Sequence, residues 1–92
     1  MRNLLVTYNL DGANRSYADV EKAIRGLGST WHNRATLDSV WFARSNLTAQ
    51  QAYGQIAPSF DSTRDYWFVV DITNQSRQGW MPKDLWEFLN AP

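Results

Sequence analysis

Leu4-Leu5-Val6-Thr7-Tyr8-Asn9-Leu10-Asp11-Gly12, the stretch LLVTYNLDG near the start of the chain, is an apolar run that ends in a polar turn. Residues 4–8 are short, apolar and rich in strand formers, and Asn9, Asp11 and Gly12 close them, which predicts a strand. Clean alternation is missing, the pattern of a central strand covered on part of both faces. A strand end is a common place for a catalytic carboxylate. The residue just past Tyr8 is an amide, Asn9, and the carboxylate Asp11 follows two positions later.

Beyond the 12–16 loop, Ser16 reads as a helix N-cap with Asp19 three residues on. Tyr17, Val20, Ile24 and Leu27 then recur at helical spacing, and Gly28 is a natural stop. The spacing predicts a helix over 17–27. Residues 29–46 read as a hairpin: Trp31-His32-Asn33 leads in, Arg34-Ala35-Thr36 turns, and Ser39 to Arg44 leads out. Thr48 with Gln51 is a second capping box, and Pro58 ends that helix near Ala57. After the polar loop 61–65, Tyr66-Trp67-Phe68-Val69-Val70-Asp71-Ile72 is another strong strand. Pro82 suits the first position of a short terminal helix that would dock Leu85, Trp86 and Leu89 on the body.

Strand, helix, strand, strand, helix, strand, short helix is the order of a split βαβ repeat. It predicts an α+β fold, a ferredoxin-like βαββαβ sandwich with a short C-terminal helix. Right-handed crossovers set the sheet order 4-1-3-2, with both main helices on one face. Strands 1 and 3 are expected to be central and parallel, which would put Asn9 beside Ser45 and Asn46. Strand 4 would run antiparallel beside strand 1 and bring Asp65 and Tyr66 to Asn9, and His32 would reach the same edge. The expected polar rim is Asn9, Asp11, His32, Arg44, Ser45, Asn46 and Asp65.

The chain has 92 residues, which favours one domain over 1–92, small enough to gain from oligomerisation. The net charge is zero, whereas a dedicated nucleic-acid binder carries a basic excess, so nucleic acid is not favoured as a partner. With no cysteine there is no disulfide, thiolate metal site or Cys nucleophile. No apolar run is long enough for a membrane span and no signal peptide is visible, so a cytoplasmic protein is expected. Five tryptophans in so short a chain place some at an interface, with Trp41, Trp67, Trp80 and Trp86 as candidates. Strands 3 and 4 carry large apolar residues on both faces. The second sheet face is therefore expected to be covered, by the tail around Trp80 and Trp86 or by a second copy in a homodimer. A protein partner fits the same surface.

His32 is the single histidine, and without a second His or Cys there is no transition-metal set. Asp11 and Asp65 together could hold a hard cation. Arginine outnumbers lysine, which suits phosphate or carboxylate recognition, and Arg34, Arg64 and Arg77 are the candidates for nucleic-acid contact. Asp71, inside an apolar strand, is expected to face water at the strand edge or to form a salt bridge across a dimer seam.

The stretches LLVTYNL, SYADVEKAIRGLG, LDSVWFARS, LTAQQA and MPKDLWEFL resemble small bacterial and phage proteins of the SinR family. These are similar to the small CRISPR adaptation subunit, Cas-two, and to the VapD toxins. The resemblance implies a ferredoxin-like fold, dimerisation through the sheet and a link to bacterial or phage defence. In the nuclease-active Cas-two-like members, an Asp at the end of the first strand serves metal-dependent phosphodiester cleavage. Here that position is Asn9, which lacks the charge Mg²⁺ favours, and Asp11 would replace it only if the turn folds back. The expectation is a binding or scaffold protein without cofactor. The alternative is a Mg²⁺-dependent endonuclease whose candidate residues are Asn9, Asp11, His32 and Asp65.

Overall fold

The computed structural model describes residues 1–11 and 17–91. Its elements, in order, are β1 (Arg2–Asn9), α1 (Tyr17–Arg25), β2 (Ser29–Trp31), β3 (Val40–Ser45), α2 (Ala49–Ile56), β4 (Tyr66–Asp71) and α3 (Lys83–Asn90), with a 3-10 turn (Ala57–Ser59) after α2. This is a small α+β domain of a four-stranded antiparallel sheet and three helices. The Ser16 cap and the 12–16 loop lie outside the described residues.

Local chemistry accounts for most element ends. α1 carries Asp19 in its first turn and Lys22 and Arg25 in its last, matching the helix dipole at both ends. α2 opens on the expected capping box: the Gln51 N–H donates to the Thr48 hydroxyl at 3.1 Å, and the Thr48 N–H donates to the Gln51 side chain at 3.0 Å. Pro58 follows directly, and the chain tightens into the 3-10 turn. At α3 the structure moves Pro82 one position outward, to the N-cap. Asn74, in the turn after β4, takes φ of 59°, a left-handed conformation that asparagine tolerates.

The sheet order is β2-β3-β1-β4, the expected order read from the other edge. The expected parallel pairing of strands 1 and 3 is wrong. β1 and β3 pair antiparallel, with Arg2 opposite Ser45 and Thr7 opposite Val40. β2 and β3 are also antiparallel, so β1 and β2 point the same way with β3 reversed between them. The crossover through α1 returns β2 parallel to β1, and the hairpin through residues 32–39 then has to turn β3 against both.

Alternation along β1 and β3 divides two apolar layers. Leu4, Val6, Trp41 and Ala43 face α1 and α2 and pack with Val20, Ile24, Ala52 and Ile56. On the opposite face Leu5, Val40 and Phe42 join Trp31, Leu85 and Leu89. The tail therefore covers part of the second face, one of the two expected solutions. Leu85 and Leu89 are buried there, and each contributes about 2 kcal/mol by leaving water. The Asp84 carboxylate accepts from the Trp31 indole N–H at 3.0 Å and fixes α3 against β2.

The cover is incomplete at the β4 edge. Tyr66 and Phe68 remain 78% and 60% exposed, and Trp80, on the tail segment leading to α3, is 99% exposed.

Candidate functional site

The antiparallel β1–β3 pairing rebuilds the rim. Asn9 ends β1 opposite Tyr66, and Tyr8, Asn9 and Leu10 line a small hollow with Tyr17, Asp38 and Ser39. Arg44, Ser45 and Asn46 are at the other end of the sheet: Arg44 pairs with Asn3 and Ser45 with Arg2. The expected approach of Ser45 and Asn46 to Asn9 is thus corrected, and its cause is the strand direction. Asp65, Asp11 and His32 do reach the Asn9 end.

Asp65 is 4% exposed, and its carboxylate joins two loops. One oxygen accepts the Asp11 backbone N–H at 3.1 Å, and the other accepts the Asp61 backbone N–H at 2.8 Å. A carboxylate shared by two such donors locks the turn after β1 to the loop before β4. Asp61 extends the arrangement by accepting from the Thr63 N–H and hydroxyl, at 2.9 and 2.7 Å. Asp11 itself is exposed and meets Asp65 through its backbone N–H. Among the described residues, no group of three or more His, Asp or Glu side chains is placed to hold a metal ion.

His32 has a packing environment. Its ring stacks on Trp41 with centroids 4.1 Å apart and planes 6° from parallel, and its Nε2 lies 2.6 Å from the Asp38 carbonyl oxygen. A carbonyl only accepts, so Nε2 carries the proton in that bond. The Arg25 guanidinium also lies 5.0 Å from the Trp41 ring centre.

The three arginines do not converge. Arg34 pairs with Glu21 at 3.0 Å and Asp38 at 3.5 Å. Arg64 is exposed in the turn before β4. Arg77 reaches the Ile72 and Leu89 carbonyls and the Asn90 side chain at 3.2 to 3.5 Å, so it fastens the tail to the end of α3, away from Asn9.

Of the four tryptophans expected at an interface, Trp41 is 1% exposed and interior. Trp67 is half-buried on the same face, stacked on Phe60 at 4.7 Å and on Tyr53 at 5.7 Å. Trp86 packs against the second apolar layer. Trp80 alone of the four stands in water. The sequence reading missed Tyr66 and Phe68 as surface residues. Their signal was the period-two alternation of β4, which puts them on one face together.

Asp71, the carboxylate inside an apolar strand, finds its partner within the chain: Arg2 Nη1 is 3.0 Å away, and the Thr73 N–H donates at 2.9 Å. Hydrogen bonding from the Thr73 hydroxyl and N–H, and then the Arg2 charge, hold its carboxyl below the ordinary range. A carboxyl lowered on folding stabilises the fold above its unfolded pKa of about 3.9, and that contribution disappears as pH falls through the lower folded value. Thermal melts across the acid range are expected to fall less steeply for Asp71→Asn than for wild type. Parallel curves would show that the Asp71 contacts do not survive in solution.

No family model, curated protein or solved structure matches this chain.

Proposed function

We propose that this chain is a small ferredoxin-like protein of the SinR and Cas-two-like type that works by contact, as a dimeric binding or scaffold module, and not by catalysis. The role that fits the resemblance is one in the cytoplasm of a bacterium or phage-infected cell, in defence. The observation that carries the reading is the open part of the sheet face, where Tyr66 and Phe68 stand side by side in water. Exposed aromatic side chains are the usual anchors of protein contacts. Asp65 supports it from the other direction, because both its oxygens already serve backbone donors that join two loops. The neutral net charge favours a protein surface over nucleic acid.

Highly purified protein incubated with single-stranded RNA and with duplex DNA, in Mg²⁺ and in Mn²⁺, is expected to leave both intact. Cleavage that copurifies with the protein and disappears in Asp11→Ala would overturn the reading in favour of a metal-dependent endonuclease. Light scattering at tens of micromolar is expected to give a mass above the 10.6 kDa of one chain.

A further inference from the structure

We propose that the outer edge of β4 pairs antiparallel with β4 of a second copy of this chain, across a twofold axis at Val69. The inference deepens the reading of a dimeric contact module and rests on it. β4 is the six-residue edge of the sheet, whereas the opposite edge, β2, has three residues. The Ile72 N–H donates to the Asn3 carbonyl at 2.8 Å, and the β1–β4 register continues without a bulge. In an antiparallel strand the N–H and C=O of one residue point to the same side and alternate along the chain. Val70 and Phe68 therefore turn their main-chain groups toward β1, while Trp67, Val69 and Asp71 turn theirs outward. Natural sheets protect such an edge with lysine, proline, a bulge or a covering segment. From Tyr66 to Val70 this one has no charge and no proline.

Outward main-chain groups call for another strand, and the side chains say which. A twofold axis normal to the sheet pairs residues of equal parity. An axis at Phe68 would set Asp65 opposite Asp71 of the second copy, two like charges face to face. An axis at Val69 sets Phe68 opposite Val70, Tyr66 opposite Ile72 and Asp65 opposite Thr73 of the second copy. Of the two carboxylates in that seam, Asp71 is already balanced by Arg2 at 3.0 Å, and Asp65 accepts from the Asp11 and Asp61 backbone N–H groups. Apolar thus meets apolar on the open face, and no uncompensated charge is enclosed. With Tyr66 and Phe68 exposed as they are, the four rings of two copies leave roughly 550 Å² of aromatic surface to cover, which places the dimer at the small, weak end of specific interfaces.

Sedimentation of the full chain at rising concentration is expected to show a monomer–dimer equilibrium. The Val69 N–H points away from β1, so Val69→Pro removes an outer donor and leaves the internal ladder intact. It is expected to be monomeric with the far-ultraviolet circular dichroism of wild type, while Val69→Ala stays dimeric. If Val69→Pro fails to fold, Phe68→Lys decides: the lysine replaces an exposed ring, and its dimer is expected to dissociate at least about tenfold more readily. Because the chain has no cysteine, Val69→Cys, which faces its own copy across the axis, should oxidise readily to a covalent dimer and Gln50→Cys, exposed on α2, should not. A wild-type dimer that survives both edge variants, with no preferential cross-link at position 69, overturns the edge pairing and leaves a dimer through another surface. A wild type that stays monomeric overturns the edge pairing and the dimeric reading together.

Discussion

Gly28→Ala is expected to cost this protein most of its stability. Gly28 joins α1 to β2 with φ of 151°, outside the range that side-chain-bearing residues adopt comfortably. A Cβ there would lie 2.0 Å from the Arg44 carbonyl oxygen, at the end of β3. That neighbour is backbone in the interior of the sheet, so no rotamer change relieves the collision, and β2 or β3 has to move. Backbone strain and overpacking each cost about 1–3 kcal/mol, together roughly 4 kcal/mol. A domain of this size holds only about 5–10 kcal/mol in all. The variant is expected to melt about 15 °C or more below wild type, read by circular dichroism. A shift of only a few degrees would mean that the junction passes β3 less closely than described.

Asp65→Ala comes next in size. Its carboxylate is buried and accepts from the Asp11 and Asp61 backbone donors. Removing it leaves both part-buried N–H groups without their acceptor, and hydrogen bonds to a charged partner are worth about 1.5–3 kcal/mol. A loss of about 3 kcal/mol is expected, measured by urea unfolding, together with faster hydrogen exchange at the Asp11 and Asp61 amides. The same variant separates two roles for this rim. A structural clamp loses stability and local protection. A catalytic carboxylate would lose a reaction and leave stability nearly unchanged, and that outcome would reverse the role assigned to Asp65 here.

The candidate site was half legible in the sequence. Asn9, Asp11 and Asp65 gather at one end of the sheet because β4 lies antiparallel beside β1 as expected, whereas His32 reaches that end as the residue after β2, which runs parallel to β1, and not as the start of a strand running the other way. Arg44, Ser45 and Asn46 were sent to the wrong end by a single wrong strand direction. That error has a physical source. Apolar periodicity says which residues of β3 are buried, and it reads the same in both directions along a strand. Trp41 and Trp67 show a related limit: alternation puts them on a face, and only the position of α1, α2 and the Phe60 turn makes that face interior.

What the sequence determined by itself is local. The Thr48–Gln51 capping box and the break at Pro58 depend on residues within a few positions of one another, so short-range sterics and hydrogen bonding decide them, whereas α1 ends at Arg25, before the expected stop at Gly28, and β1 runs from Arg2 to Asn9, beyond the expected 4–8. The tertiary structure alone decided the rest: which of the two expected covers packs on the second sheet face, that the Asp65 carboxylate serves backbone donors on two loops, and that Tyr66 and Phe68 of β4 stay exposed. Each of these depends on groups far apart in the chain whose meeting is set by sheet pairing and layer packing. No local pattern around Asp65 announces a donor at Asp11, 54 positions away.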